Sequence, residues 1–162
     1  MRRRRLRGRP VVVIVASALA LGFGGTAAIQ KPVVKACSLL TKDLALKVTS
    51  APNTKVFDLM PPEEETVGAG SACEYGDIRI QLDAFDAAKL DQIVKADQTW
   101  TAVPGVGSRA WFHNNKNRYA ELMAVTGTHT LLIQMGVPIG GTAEGIKPKA
   151  ITLANALLQK LK

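Results

Sequence analysis

The sequence predicts an α+β domain, in which an antiparallel sheet of about five strands has helices packed on one face, in the order α-β-β-α-β-β-β-α. Segments that alternate apolar and polar residues come in runs joined by short turns, which is typical of hairpin-connected strands. Segments with apolar residues at helical spacing separate these runs. Hydrophobic residues make up 47% of the 162 residues, which is enough to bury a core. Together these observations favour the α+β class.

Residues 1–28 have the three parts of a secretory signal peptide. Arginines are frequent up to Arg9, an apolar run extends from Val11 to Phe23, and small residues lead to Ala28. As a helix the apolar run would rise roughly 20 Å, which is less than the roughly 30 Å hydrocarbon core of a bilayer. We therefore expect cleavage near Ala28, a tether over 29–36 and a single domain over 37–162. The protein would be exported, to the periplasm or the exterior. An uncleaved signal anchor that tethers it to the membrane is the alternative.

The net charge of the chain belongs mostly to this leader. The formal net charge is +8, but six of the 21 Lys and Arg residues lie within residues 1–9. No acidic residue precedes Asp43, so the rest of the chain has 15 basic and 13 acidic residues. Nucleic-acid binding needs a basic groove or patch, which a near-neutral domain does not supply. We therefore expect no nucleic-acid partner.

Cys37 and Cys73 are the only cysteines. An exported chain meets an oxidising environment, which favours one structural disulfide between them. The competing interpretation is a metal-binding or nucleophilic pair, but the two cysteines and two histidines show no ligand spacing. Lipid attachment at Cys37 is not expected, because Lys35 interrupts the small or apolar residues that such a signal requires. The sequence predicts no metal site and no cofactor.

The first part of the domain predicts a helix and then an irregular segment. Thr41 is a suitable N-cap for a helix that ends before Pro52. Lys55–Met60 has the composition of a strand. Pro61–Glu65 predicts an acidic, solvated loop, which a cation or a basic partner could also use.

A hairpin and a second helix follow. A strand that contains Cys73 turns at Tyr75-Gly76-Asp77 into the clearest strand of the sequence, Asp77–Phe85, where apolar and polar residues alternate. Asp86 is a suitable cap for the next helix, which has Leu90 on its apolar stripe.

The last part predicts a three-stranded meander and a third helix. Turn residues occupy Trp100–Gly107, and strands are expected over Arg109–His113, Arg118–Thr126 and Thr128–Val137. Pro148 is suited to the first turn of the last helix.

Short motifs around the cysteines resemble those of a known family. Cys37-Ser38-Leu39-Leu40-Thr41 opens the first helix, Cys73-Glu74-Tyr75 lies on a strand, and Val103–Trp111 leads into the meander. In these motifs the chain resembles the small exported bacterial proteins grouped as domain of unknown function 3558. The resemblance implies an α+β envelope protein with a disulfide between the two cysteines, and it implies no catalytic residue. The chain lacks the lipid-attachment motif and the additional cysteines of some relatives.

Trp111 and Phe112 are neighbours on a predicted strand, so their side chains point to opposite faces of the sheet. If helices cover one face only, one aromatic ring lies on the open face among polar side chains. We therefore expect a ligand-binding surface formed by Trp100, Arg109, Trp111 and Tyr119, where a ring can stack on a sugar, an aromatic ligand or a partner protein. The alternative is that the Trp100–Gly107 loop folds across this face and buries it.

These features favour a non-enzymatic binding or accessory protein of the cell envelope. It would hold an envelope protein, a polymer or a small ligand on the open sheet face or on the 100–111 loop. The alternative is an exported hydrolase that acts on an envelope polymer. No nucleophile motif is present and no catalytic residue is predicted. A hydrolase would need titratable groups that converge in a cleft, and the groups concerned are His113, Asp83, Asp86 and Glu121.

Overall fold

A seven-stranded antiparallel sheet organises the residues that the computed structural model describes, which are 33–51, 53–116 and 118–162. The predicted signal peptide over 1–28 and the first part of the predicted tether lie outside the described residues, as do Pro52 and Asn117. All described residues belong to one unit of the chain, Pro32–Lys162. The predicted α+β class is confirmed.

The element order differs from the prediction. The helices are α1 (Ala36–Leu39), α2 (Lys42–Val48), α3 (Val56–Leu59), α4 (Ala87–Ala96) and α5 (Ala143–Lys160). The strands are β1 (Glu63–Val67), β2 (Gly70–Tyr75), β3 (Ile78–Leu82), β4 (Thr101–Ala102), β5 (Arg109–Asn115), β6 (Tyr119–Thr126) and β7 (His129–Gly136). Across the sheet the order is β1-β2-β3-β7-β6-β5-β4. The prediction of about five strands was wrong because the edge strands β1 and β4 were not recognised.

The segment before β2 departs most from the prediction. Val56–Leu59 forms a short helix rather than a strand, and it buries Phe57 against Tyr75 with their ring centroids 5.0 Å apart. Glu63–Val67 forms the edge strand β1, where a solvated loop was expected. β1 pairs with β2 along its whole length, although Val67 alone among its residues is partly buried. A strand that is exposed on both faces shows no alternation in its sequence, so it resembles a loop.

One face of the sheet packs against α1, α2 and α5 and forms the main core; we call it the α5 face. Ile80, Ile133, Leu122 and Phe112 lie opposite one another on four adjacent strands of this face, and all four are buried. Trp111 belongs to the other face, so the prediction that Trp111 and Phe112 point to opposite sides is confirmed.

Helix α4 packs against that other face, which we call the α4 face. Leu90 of α4 forms a second hydrophobic cluster with Met123 and Val125, and Trp111 and Leu132 pack against it. The prediction of helices on one face only was therefore wrong for α4. Its predicted cap is confirmed, since the Asp86 carboxylate accepts a hydrogen bond of 2.7 Å from the N–H of Lys89. In the described residues this second cluster includes no residue of β1, β2 or β3.

The predicted disulfide joins Cys37 of α1 to Cys73 of β2, with an S–S distance of 2.07 Å. Glu64 lies opposite Cys73 on β1. Its carboxylate accepts hydrogen bonds from the backbone N–H groups of Ala36 (2.9 Å) and Cys37 (2.7 Å). These groups have no partner within a helix because they belong to its first turn. One residue of the acidic segment therefore anchors the helix that carries Cys37.

Helix α5 is longer than predicted. It begins at Ala143, where the Thr142 hydroxyl accepts a hydrogen bond of 3.2 Å from the N–H of Gly145. Pro148 consequently lies in the helix interior rather than in the first turn. None of the helices in the described ranges combines the length and the hydrophobicity that crossing a membrane requires.

Candidate functional site

Of the four residues that were predicted to bind a ligand, Trp100, Arg109 and Trp111 lie near one another and Tyr119 lies apart. Arg109 and Trp111 lie beside α4, and Trp100 stacks on His113. Tyr119 lies at the other end of the face. Trp111 pairs with Met123 on β6, and Met123 is four residues from Tyr119 along that strand. Four residues of a strand span roughly 13 Å. The four side chains therefore do not form a single site.

Arg109 and Trp111 fasten α4 to the sheet. The Arg109 guanidinium makes an ion pair of 3.0 Å with Asp91 of α4 and lies 5.7 Å from the centre of the Trp111 ring. The partly buried Trp111 ring packs against the cluster around Leu90. The Trp111 ring is thus partly covered, while the exposed Arg109 side chain is engaged in the ion pair with Asp91.

His113 is part of a hydrogen-bonded cluster on β5, β6 and β7. Its Nδ1 lies 2.8 Å from Oε2 of Glu121, and the amide of Gln134 donates a hydrogen bond of 2.8 Å to Oε1 of the same carboxylate. Trp100 covers the imidazole with its ring centre 4.8 Å away. Asp97 lies 3.8 Å from Nε2 of His113. Strand pairing places His113, Glu121 and Gln134 directly opposite one another.

The carboxylates of this cluster are held by their neighbours. Both oxygens of Glu121 accept hydrogen bonds or face the imidazole, and the residue is only 8% exposed. Hydrogen bonds from the hydroxyl and N–H of Thr99 hold the pKa of Asp97 below its ordinary value, and His113 adds to this effect. A general base must reach a substrate in a cleft. Of the two pockets described below, neither is lined by His113 or Glu121.

The other carboxylates named for a hydrolase lie apart. Asp83 contacts His129 at 2.8 Å and accepts a hydrogen bond of 2.9 Å from the N–H of Thr130, so it joins the ends of β3 and β7. Asp86 caps α4. The sequence did not predict the two histidine–carboxylate pairs, His113–Glu121 and His129–Asp83, because each pair joins residues from different segments of the chain.

A row of polar side chains crosses the α4 face. Strand pairing places Glu74, Arg79, Gln134, Glu121 and His113 opposite one another across five strands, and we call these residues the polar row. Glu63 continues the row on β1, with Glu65 beside it. The part of this surface on β1, β2 and β3, formed by Glu63, Glu65, Glu74, Arg79 and Gln81, is called the open half.

The charges in the open half are paired in part. Arg79 donates hydrogen bonds to Glu65 (2.6 Å) and Glu74 (3.2 Å). The bond to Glu65, reinforced by Glu74, holds the pKa of Arg79 above its ordinary value. Glu63, Glu65 and Glu74 supply three carboxylates against one guanidinium, so the surface is acidic.

A shallow pocket of about 220 Å³ lies where the open half meets Tyr119, and we call it the Tyr119 pocket. Tyr119 is 42% exposed, the most exposed aromatic residue described. The lining residues are Glu74, Gly76, Asp77, Ile78, Arg79, Tyr119, Gln134 and Gly136. Asp77 is committed to the fold, because it accepts hydrogen bonds from the hydroxyl of Thr49 (2.6 Å) and the N–H of Ser50 (2.9 Å). Tyr119 is exposed and borders this pocket, so its ring is available to a partner.

A second pocket of about 580 Å³ lies between the 105–108 loop and the last turns of α5, and we call it the loop–helix pocket. The lining residues are Gly105, Gly107, Ser108, Thr126, Asn155, Leu158, Gln159 and Lys162. The sequence predicted a role in binding for the 100–111 loop. It did not predict one for Asn155 and Gln159, because their pattern is that of the polar side of an amphipathic helix.

The described residues hold no group of three or more His, Cys, Asp or Glu side chains placed to bind a metal ion. Comparison of the chain with protein families, with curated proteins and with solved structures finds no match.

Proposed function

We propose that the protein is an exported, non-enzymatic binding domain of the cell envelope, and that the open half of the α4 face, together with Tyr119, is its binding surface. The observation that carries the proposal is the Tyr119 pocket, where an exposed ring borders a recess on an acidic sheet surface. Its volume of about 220 Å³ suits one side chain of a partner rather than a whole small-molecule ligand, for which sites are typically about 300–1,000 Å³.

The charge of the surface indicates the chemistry of the partner. Three carboxylates face a single guanidinium that is already paired, so a further positive charge is attracted and a negative charge is repelled. The face of the Tyr119 ring attracts an ammonium or guanidinium group in the same way. We infer that the partner is a lysine- or arginine-bearing segment of an envelope protein.

Export is supported by two separate features. The leader over 1–28 has the composition of a signal peptide, and the disulfide between Cys37 and Cys73 is of the kind that persists in oxidising compartments. The resemblance to domain of unknown function 3558 is in accord with this location and stays a prediction that depends on short motifs. The signal anchor remains the alternative to cleavage.

A binding test uses a fluorescein-labelled, lysine-rich peptide and a glutamate-rich counterpart, with affinity measured by fluorescence anisotropy. The lysine-rich peptide should bind, and its affinity should fall as salt is added, since exposed charges are screened. Tyr119→Ala should weaken binding about fivefold, because a cation–π contact contributes about 1 kcal/mol. Tyr119→Phe keeps the ring and should retain most of the affinity.

Three results would contradict the proposal. They are equal binding of both peptides, no effect of Tyr119→Ala, and release of reducing ends when the protein is incubated with purified envelope polysaccharide. The last result would favour the hydrolase instead.

A further inference from the structure

The loop–helix pocket is separate from the surface proposed above. It is formed by the tip of the 105–108 loop, the end of β6 and the last turns of α5. Its volume of about 580 Å³ lies within the range typical of small-molecule sites. It can therefore enclose a larger group than the Tyr119 pocket.

The loop wall of this pocket is preformed. Val103 and Val106 are buried in the main core and hold the loop against the α5 face. The N–H and the hydroxyl of Ser108 both donate hydrogen bonds to the carbonyl of Val125, at 2.7 Å and 2.9 Å. A ligand would thus meet a fixed surface and would not have to order the loop, which removes one of the usual entropic costs of binding.

The lining has the chemistry of a site for a neutral hydroxyl-rich ligand. Asn155 and Gln159 lie one turn apart on α5, and each carries a carbonyl acceptor and an amide donor. Ser108 and Thr126 add hydroxyl groups to the lining, and Leu158 supplies an apolar contact. Sugar hydroxyls donate and accept at the same atom, so they match such mixed groups. No carboxylate side chain belongs to the lining, and Lys162 is its one charged side chain.

Several of these groups are uncommitted within the part of the chain that the structure describes. There the side-chain amides of Asn155 and Gln159 make no hydrogen bond to another residue, whereas Thr152, on the preceding turn, bonds to the carbonyl of Pro148. The Ser108 hydroxyl uses its proton on Val125 and keeps its oxygen as an acceptor. The pocket thus presents the amides of Asn155 and Gln159 and the hydroxyl oxygen of Ser108, all of which can form hydrogen bonds with a ligand.

We propose that the loop–helix pocket binds a neutral sugar of about disaccharide size, with its hydroxyls paired to Asn155, Gln159 and Ser108 and one ring face on Leu158. This binding is independent of the basic partner proposed for the open half. The two surfaces share no lining residue.

The test is a titration of the ¹⁵N-labelled protein with maltose and, separately, with N,N′-diacetylchitobiose, followed by two-dimensional NMR. At least one of the two sugars should shift the backbone amides of Gly105, Gly107 and Ser108 and the side-chain amides of Asn155 and Gln159, with saturation in the millimolar range. The double variant Asn155→Ala, Gln159→Ala should weaken this binding about tenfold, as expected for the loss of two hydrogen bonds. Gln92→Ala, an exposed change on α4, is the matched control and should leave it unchanged.

The proposal is overturned if neither sugar gives saturable shifts at these residues below about 50 mM. It is also overturned if the double variant, with an otherwise unchanged spectrum, binds as well as the unaltered protein. Saturable shifts that centre on another part of the molecule would contradict it in the same way.

Discussion

Loss of the disulfide between Cys37 and Cys73 should lower the free energy of unfolding by about 4 kcal/mol. The bond closes a loop with a sequence separation of 36. The conformational entropy that such a loop removes from the unfolded chain amounts to about 4 kcal/mol at 25 °C. Domains of this size are stable by only about 5–15 kcal/mol, so the loss is a large share of the total.

Two perturbations remove the bond by different routes. The double variant Cys37→Ala, Cys73→Ala removes both sulfur atoms and leaves a small cavity at Cys73, which is fully buried. Reduction of the unaltered protein breaks the bond and keeps both sulfur atoms. Urea unfolding followed by circular dichroism gives the free energy in each case. The reduced protein should lose about 4 kcal/mol and the double variant somewhat more.

A loss below about 1 kcal/mol in both experiments would refute this reasoning. It would mean that α1 already stays close to β2 in the unfolded chain, so that the bond removes little conformational entropy there. Ser38→Ala, an exposed change beside Cys37, is the control and should alter stability by much less.

Three further experiments test individual parts of the fold. Pro148→Ala should raise the free energy of unfolding by up to about 3 kcal/mol, because an interior proline lacks the N–H that bonds to the carbonyl four residues earlier; an unchanged Tm in thermal unfolding would contradict its interior position. Gly76→Ala should cost about 1–3 kcal/mol more than Gly127→Ala in urea unfolding. Both glycines have positive φ, but their surroundings differ. A Cβ on Gly76 would lie 2.6 Å from the Phe57 ring, whereas one on Gly127 would meet nothing within 4 Å. Equal losses of stability would therefore contradict the packing around Gly76. The hydrogen bonds from Thr99 lower the pKa of Asp97, so an NMR titration of its carboxyl should give a midpoint below the ordinary value of an aspartate. The stability that these bonds add is present above the unfolded-state pKa of Asp97 and is lost as the pH falls through the lower folded-state value. A midpoint that is not lowered would contradict the bonds.

The parts of the fold that the sequence predicted are those with at least one buried face. Asp77–Phe85 was expected from its alternation and contains β3, and the expected meander corresponds to β5, β6 and β7. The caps Thr41 and Asp86 were also correct, because capping is a local property of a few residues. The disulfide followed from the expected compartment and the cysteine count.

The parts that the sequence missed depend on distant contacts. β1 is exposed on both faces and β4 has two residues, so neither shows a period. The apolar stripe on α4 predicted that one side of the helix is buried, but not which face of the sheet the helix covers. Because α4 covers the face that carries Trp111, the Trp111 ring packs against the cluster around Leu90.

The candidate site was predicted only in part for the same reason. Tyr119 was named, but Glu74, Arg79 and Gln134 join it through the pairing of four strands. Strand pairing of this kind is set by the whole sheet rather than by any local motif.

The central claim is that the open half of the α4 face binds a basic segment through the Tyr119 pocket. Its most direct test is a ¹⁵N NMR titration with the lysine-rich peptide, which locates the binding surface on the folded protein. The largest shifts should occur at Glu74, Arg79, Tyr119 and Gln134, and they should diminish in Tyr119→Ala. Shifts centred on α5 or on the 105–108 loop, or no saturable shifts at all, would contradict it.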